Sequence, residues 1–127
     1  WAYENPYHTE TERADKWLEI LNEFSSPVID FSGLEAYRHY SWHRQLHLYE
    51  VPFYYIEYGI AQLGAIGLWK QYKQNPDKAF TNYINALSLG GTKTLPELFK
   101  AAGLQFDFSP AAIKDLMEFV KTELDRL

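Results

Sequence analysis

HRQLHLYEVPFYYIEYG, residues 43–59, gathers two histidines, four tyrosines and two glutamates in one stretch. His39 lies one helical spacing upstream, so His39, His43 and His47 stand four apart. Two histidines at i and i+4 of a helix can share one zinc ion. All three cannot, because eight residues of helix rise about 12 Å. The zinc-hydrolase pattern H-E-x-x-H also needs a glutamate directly after its first histidine, as general base. H-Y-S-W-H has the spacing and lacks that base. The ordinary reading is a stripe of hydrogen-bonded histidines; a metal pair or another polar role is the alternative.

Tyr49, Tyr54, Tyr55 and Tyr58 form the second set. On a helix Tyr55 and Tyr58 share a face at i, i+3, and Tyr54 and Tyr58 share one at i, i+4. Core aromatics with partnered hydroxyls are the structural explanation. The functional one is that phenol hydroxyls, together with His47, donate hydrogen bonds to a developing oxyanion. Glu35, Glu50 and Glu57 are the acids nearest this stripe. Glu57 falls within an apolar run, so it should be paired, protonated or facing a polar cleft, with Arg38 or Arg44 as the ordinary partner. No G-x-S-x-G, P-loop or EF-hand loop is present, and the SLGG stretch reads as a helix stop.

The elements that must carry these residues are helices. Thr9 with Glu12 is a capping box, and Ala14, Trp17, Leu18, Leu21 and Phe24 follow at helical spacing. Ser25-Ser26-Pro27 ends that helix. A second is predicted over about 34–49. Glu50-Val51-Pro52 is a break, because the residue before proline avoids the helical region. Pro52 should then open a third helix running to about Lys73. It is apolar nearly all round and should be central to the bundle. Phe53, Ile56 and the run after Gly59 are expected in the core, with the glycines admitting a neighbouring backbone. Asn75-Pro76 opens a fourth helix, with Phe80, Tyr83, Ile84 and Leu87 facing in and Gly90-Gly91 as its stop. Thr94/Glu97 caps a short helix ending at Gly103. Ser109-Pro110 opens the last, with Ile113, Leu116, Met117, Val120, Leu124 and Leu127 on its apolar side. The fold class is all-α, one helical region over 1–127 with about five to six helices.

Composition narrows the function classes. At 127 residues one domain is feasible. Hydrophobic residues make up 46% and charged residues 23%, which is not a disordered composition. An aromatic content of 17% means a packed aromatic core or aromatic surface that something else covers. The net charge of −5 without a basic block argues against nucleic acid. No cysteine is present, which excludes thiolate metal sites and fits a reducing, cytoplasmic compartment. WAYENPYHTE is not a signal peptide, and a chain opening on Trp1 is expected to be part of something longer. Tyr54–Trp69 contains Glu57 and Gln62 and is shorter than the ~20 apolar residues a membrane span needs.

At HLYEVPFYYIEYG the chain resembles the C-terminal region of the oligoendopeptidase F group, in the thimet-oligopeptidase-like family of zinc peptidases. YENPYHTETERADKWLEIL, RQLHLYEVPFYYIEYGIAQLGAIGLW, NYINALSLGGTKTLPELFKAAG and FDFSP extend the resemblance over essentially the whole chain. The resemblance implies a clam-like helical fold with a deep channel, and zinc on an H-E-x-x-H helix with a further glutamate as ligand. This chain has no H-E-x-x-H, so the zinc motif is expected upstream and no metal on this chain. The chain would then be a substrate-facing wall of a zinc metalloendopeptidase acting on short peptides, inactive alone, with the remainder of the peptidase as partner. By the same resemblance His47 contacts the substrate carbonyl, and Tyr55 and Tyr58 fit the family's Tyr-x-x-Tyr pair. Tyr54, one register off, competes as a substrate contact. His39 and His43 match no family role. Without the resemblance, the chain reads as a non-catalytic helical module binding a peptide or partner helix through its aromatic face.

Overall fold

In the computed structural model, which describes residues 1–127, every regular element is helical. Seven α-helices occur: α1 (Glu10–Glu23), α2 (Glu35–His39), α3 (His47–Glu50), α4 (Ile56–Gln74), α5 (Pro76–Ser88), α6 (Leu95–Ala101) and α7 (Pro110–Leu124). A 3₁₀ turn, Ser41–Arg44, lies between α2 and α3. The helices gather into two compact units, Trp1–Tyr54 and Tyr55–Leu127.

In the first unit α1 starts where its capping box requires. The Thr9 backbone N–H and hydroxyl both donate to Glu12 Oε2, at 2.7 and 2.8 Å, and the Glu12 N–H donates to Thr9 Oγ1 at 3.2 Å. The predicted helix over 34–49 is in fact broken into α2, the 3₁₀ turn and α3. The Ser41 hydroxyl donates to the Arg38 carbonyl at 2.9 Å and accepts from Trp17 Nε1 of α1 at 2.8 Å. Such local bonding competes with the helical ladder, and His43 N–H turns to Tyr40 O three residues back. Trp42, 7% exposed, is thereby seated in this unit's small core with Ala14. The Arg38 guanidinium donates to Asn22 Oδ1 and Ser25 Oγ and lies 4.1 Å from the Phe31 ring centroid, so it is committed to holding α2 near α1.

In the second unit α4 packs against both α5 and α7, and α5 against α6. Asn75 caps α5 by accepting from Lys78 N–H at 3.1 Å, and Ser109 caps α7 by accepting from Ala112 N–H at 3.3 Å. The glycines of α4 do not admit a backbone. A Cβ on Gly64 would lie 3.0 Å from Phe99 Cζ, and one on Gly67 would lie 3.0 Å from Leu104 Cδ2. They therefore seat two side chains, while Gly59 faces open space. Phe99, Phe106 and Phe108 meet edge to face beside them, and Trp69 meets Phe119 of α7 at 4.8 Å.

Two expectations about burial fail here. Phe80, Tyr83, Ile84 and Leu87 of α5 are all exposed, while the small Ala79 is the buried residue of this helix. On α7, Met117 and Leu124 are exposed, as is Leu127 beyond its end, while Glu123 is only 8% exposed. Glu123 pairs with Lys73 of α4 at 2.5 Å and with Arg126, a charged tie between the two helices. The hydrogen bond from Lys73 is the main reason its carboxyl is held below the ordinary glutamate range.

The capping boxes carry a pH prediction. The backbone N–H of Thr9 lowers the Glu12 pKa, and that of Thr94 lowers the Glu97 pKa, each helped by the threonine hydroxyl. A carboxyl depressed in the folded state contributes stability that is complete above its unfolded value, near 4.3, and lost as pH falls through its folded value. Hydrogen exchange at the first turns of α1 and α6 will therefore accelerate as pH is lowered below about 4.3, beyond the intrinsic pH dependence. Glu12→Gln and Glu97→Gln keep the box without the titration and will not show this acid step. Its persistence in those variants would refute the assignment.

Candidate functional site

The tyrosine-rich stretch is organised by a reverse turn. Tyr54 N–H donates to Val51 O at 3.1 Å, and Phe53 between them has φ +65°. Pro52 locks its own φ near −65°, so the left-handed third residue makes this a type II turn. That position ordinarily holds glycine or asparagine. Phenylalanine there costs about 1–2 kcal/mol. The turn also explains why α4 opens at Ile56 rather than at Pro52. Phe53 is not in the core; it is 79% exposed, with its ring stacked on Tyr3 at 5.2 Å and 20°. Ile56 is exposed as well.

Two aromatic pairs result. In the first unit the half-buried His47, first residue of α3, lies parallel to the Tyr54 ring, with centroids 6.3 Å apart and planes at 4°. In the second, Tyr55 at the amino end of α4 meets Tyr58 edge to face at 5.4 Å and 75°. Both tyrosines are partly exposed, so the edge contact orients the rings without enclosing them. Tyr54 lies before α4, outside the helix predicted to carry it. The sequence signal for the turn was Val51-Pro52 itself. Without glycine at the third position, it read as a helix start. The Tyr3 stack had no local signal at all.

The histidine stripe dissolves with its helix. His39 Nε2 lies 2.7 Å from Asp15 Oδ1 of α1. His43 packs edge to face on Trp42 at 4.2 Å and lies 5.5 Å from the Tyr40 ring. His47 goes to Tyr54. No three His, Asp or Glu side chains gather as a metal-ion cluster would. Of the acids, Glu35 Oε1 accepts from Gly33 N–H at 3.0 Å. Its carboxyl is held low, first by its own N–H and then by that of Gly33. Glu50 and Glu57 are exposed; Glu57 sits in the first turn of α4, not in an apolar interior.

The family model of peptidase family M3 matches residues 1–118, which takes in both aromatic pairs and the turn between them. The chain belongs to peptidase family M3. A curated relative from Borreliella burgdorferi (strain ATCC 35210 / DSM 4680 / CIP 102532 / B31), an oligoendopeptidase F homolog, is 26% identical over 124 residues, 98% of this chain and 20% of its own length. A solved structure, provisionally described as oligoendopeptidase F, is 34% identical and superposes with a TM-score of 0.80. It is matched over 99% of this chain and 22% of its own. This M3 chain thus spans about a fifth of the length of the relatives it matches. The all-helical fold agrees with that structural neighbour.

Proposed function

We propose that this chain is the C-terminal, substrate-facing part of a zinc-dependent oligoendopeptidase, cytoplasmic and acting on short peptides. The observation that carries the reading is two partly exposed ring pairs, His47/Tyr54 in the first unit and Tyr55/Tyr58 in the second, in a chain of the M3 family. Zinc is assigned to residues outside this chain, where it would act as a Lewis acid. The residues here hold and polarise the peptide. As water adds to a peptide carbonyl, charge builds on its oxygen. The phenol hydroxyls of Tyr55 and Tyr58 are hydrogen-bond donors of the kind such an oxygen needs. His47, with Tyr54 stacked on it, is a third donor. Aimed donors of this kind stabilise the oxyanion more than the ground state.

The test is an assay on short fluorogenic peptides, with the full-length protein and with residues 1–127 alone. The full-length protein is expected to cleave them in a chelator-sensitive reaction, and the 127-residue chain is expected to be inert. Cleavage by the chain alone at the full-length rate would sink the reading. The exposed face of Phe80, Tyr83, Ile84 and Leu87 favours a second reading, a helical module that binds an apolar helix. A full-length protein that binds peptides and never cleaves them would support it. No helix is long and apolar enough to cross a membrane.

A further inference from the structure

We propose that Phe53 is a positioning residue: its ring, anchored on Tyr3, holds the Val51–Tyr54 turn in the form that sets Tyr54 against His47. The inference rests on the reading of His47 and Tyr54 as substrate-facing residues. Its starting point is a mismatch between residue and position. The third place of this turn needs a left-handed backbone, which glycine adopts freely and phenylalanine does not. Core burial does not offset the strain, because the ring remains 79% exposed. The contact the ring does make is the parallel stack on Tyr3.

The Tyr3 ring is 71% exposed, but its backbone is tied down. It lies in a turn closed twice, by Asn5 N–H and by Asn5 Nδ2 on Trp1 O, at 3.0 and 2.8 Å. Asn5 O faces His8 Nδ1, and His8 Nε2 accepts from Arg13 Nε of α1 at 2.6 Å. An imidazole that accepts at Nε2 carries its proton at Nδ1, so His8 donates to Asn5 O. A continuous set of bonds therefore runs from α1 through His8 and Asn5 to the Tyr3 turn, then by ring stacking to Phe53. Beyond Phe53 the chain reverses, and the next residue is Tyr54, whose ring lies within 4° of parallel to His47. Strain of this kind persists only where the surroundings over-determine it, and here they fix the approach of a substrate contact.

The experiment measures kcat, KM and thermal midpoint in the full-length peptidase for Phe53→Gly, Tyr3→Ala, their double variant, Phe53→Tyr and Tyr3→Phe. Phe53→Gly relieves the backbone and removes the ring. Its midpoint should hold or rise, while kcat falls about 10- to 100-fold, as when a reacting contact shifts by about 1 Å. Tyr3→Ala should act in the same direction, and the double variant should be no worse than the weaker single. Phe53→Tyr and Tyr3→Phe keep the stack and should restore turnover. The inference is overturned if Phe53→Gly and Tyr3→Ala stay within about twofold of the parent kcat, a change too small for a displaced contact. It is also overturned if activity is lost in step with folded protein, or if only KM rises, since the ring would then bind substrate itself. Tyr55→Phe and Tyr58→Phe separate the two levels. If both also leave turnover intact, the underlying site reading fails; if either lowers turnover and the Phe53 variants do not, only this inference fails.

Discussion

Tyr58→Phe in the full-length peptidase will lower turnover about 10²–10³-fold, the usual loss when one oxyanion donor is removed. The change deletes a single hydroxyl. The ring remains, and with it the edge-to-face contact on Tyr55 at 5.4 Å, so the first turn of α4 keeps its packing. Metal content will stay at the parent level, because no metal-ligand role falls to this residue. Since the lost contact strengthens only as charge builds on the carbonyl oxygen, kcat and kcat/KM should fall together, with KM nearly constant. Tyr55→Phe is the companion variant. The paired rings allow either hydroxyl to be the principal donor, so at least one of the two substitutions must show the full effect. If both variants keep near-parent turnover, these tyrosines are structural aromatics and the assignment is wrong.

Gly103→Ala will loosen the carboxyl end of α6 by about 2 kcal/mol. Gly103 has φ +76° and closes a Schellman stop, with its own N–H on Lys100 O at 3.0 Å and Leu104 N–H on Phe99 O at 2.8 Å. The stop aims two side chains. Phe99, on the last turn of α6, lies over Gly64, and Leu104, just past the glycine, lies over Gly67. A methyl group at position 103 meets two obstacles. It forces an L residue into the left-handed region, and it comes within 2.7 Å of Asn82 Nδ2 and 3.2 Å of Gln71 Oε1. Gln71 would have to swing away, giving up its 2.5 Å bond to Gly103 O. Amide exchange in α6 should speed up roughly thirty-fold if it proceeds by local opening. Unchanged exchange would mean that the glycine is not what holds Phe99 and Leu104 on α4.

The sequence by itself determined where most helices begin and end. Thr9 with Glu12, Asn75-Pro76, Gly90, Thr94 with Glu97, Gly103 and Ser109-Pro110 all act where their residue types place them. Caps and stops are satisfied by groups within about four residues, so a short window of sequence contains the whole interaction. It also determined the family, through an aromatic segment too long and unusual to arise from helix patterning.

Tertiary structure decided the rest, because each remaining outcome depends on groups far apart in the chain. The helix predicted over 34–49 breaks where Trp17, twenty-four positions upstream, takes hold of Ser41. The three histidines thus do not share one helix. Phe53 leaves the expected core for a stack on Tyr3, and the Tyr54 ring lies parallel to that of His47. The large apolar residues of α5 stay exposed, and its buried residue is the small Ala79. Periodicity shows that a helix has an apolar side; only the neighbours that arrive determine which side is buried.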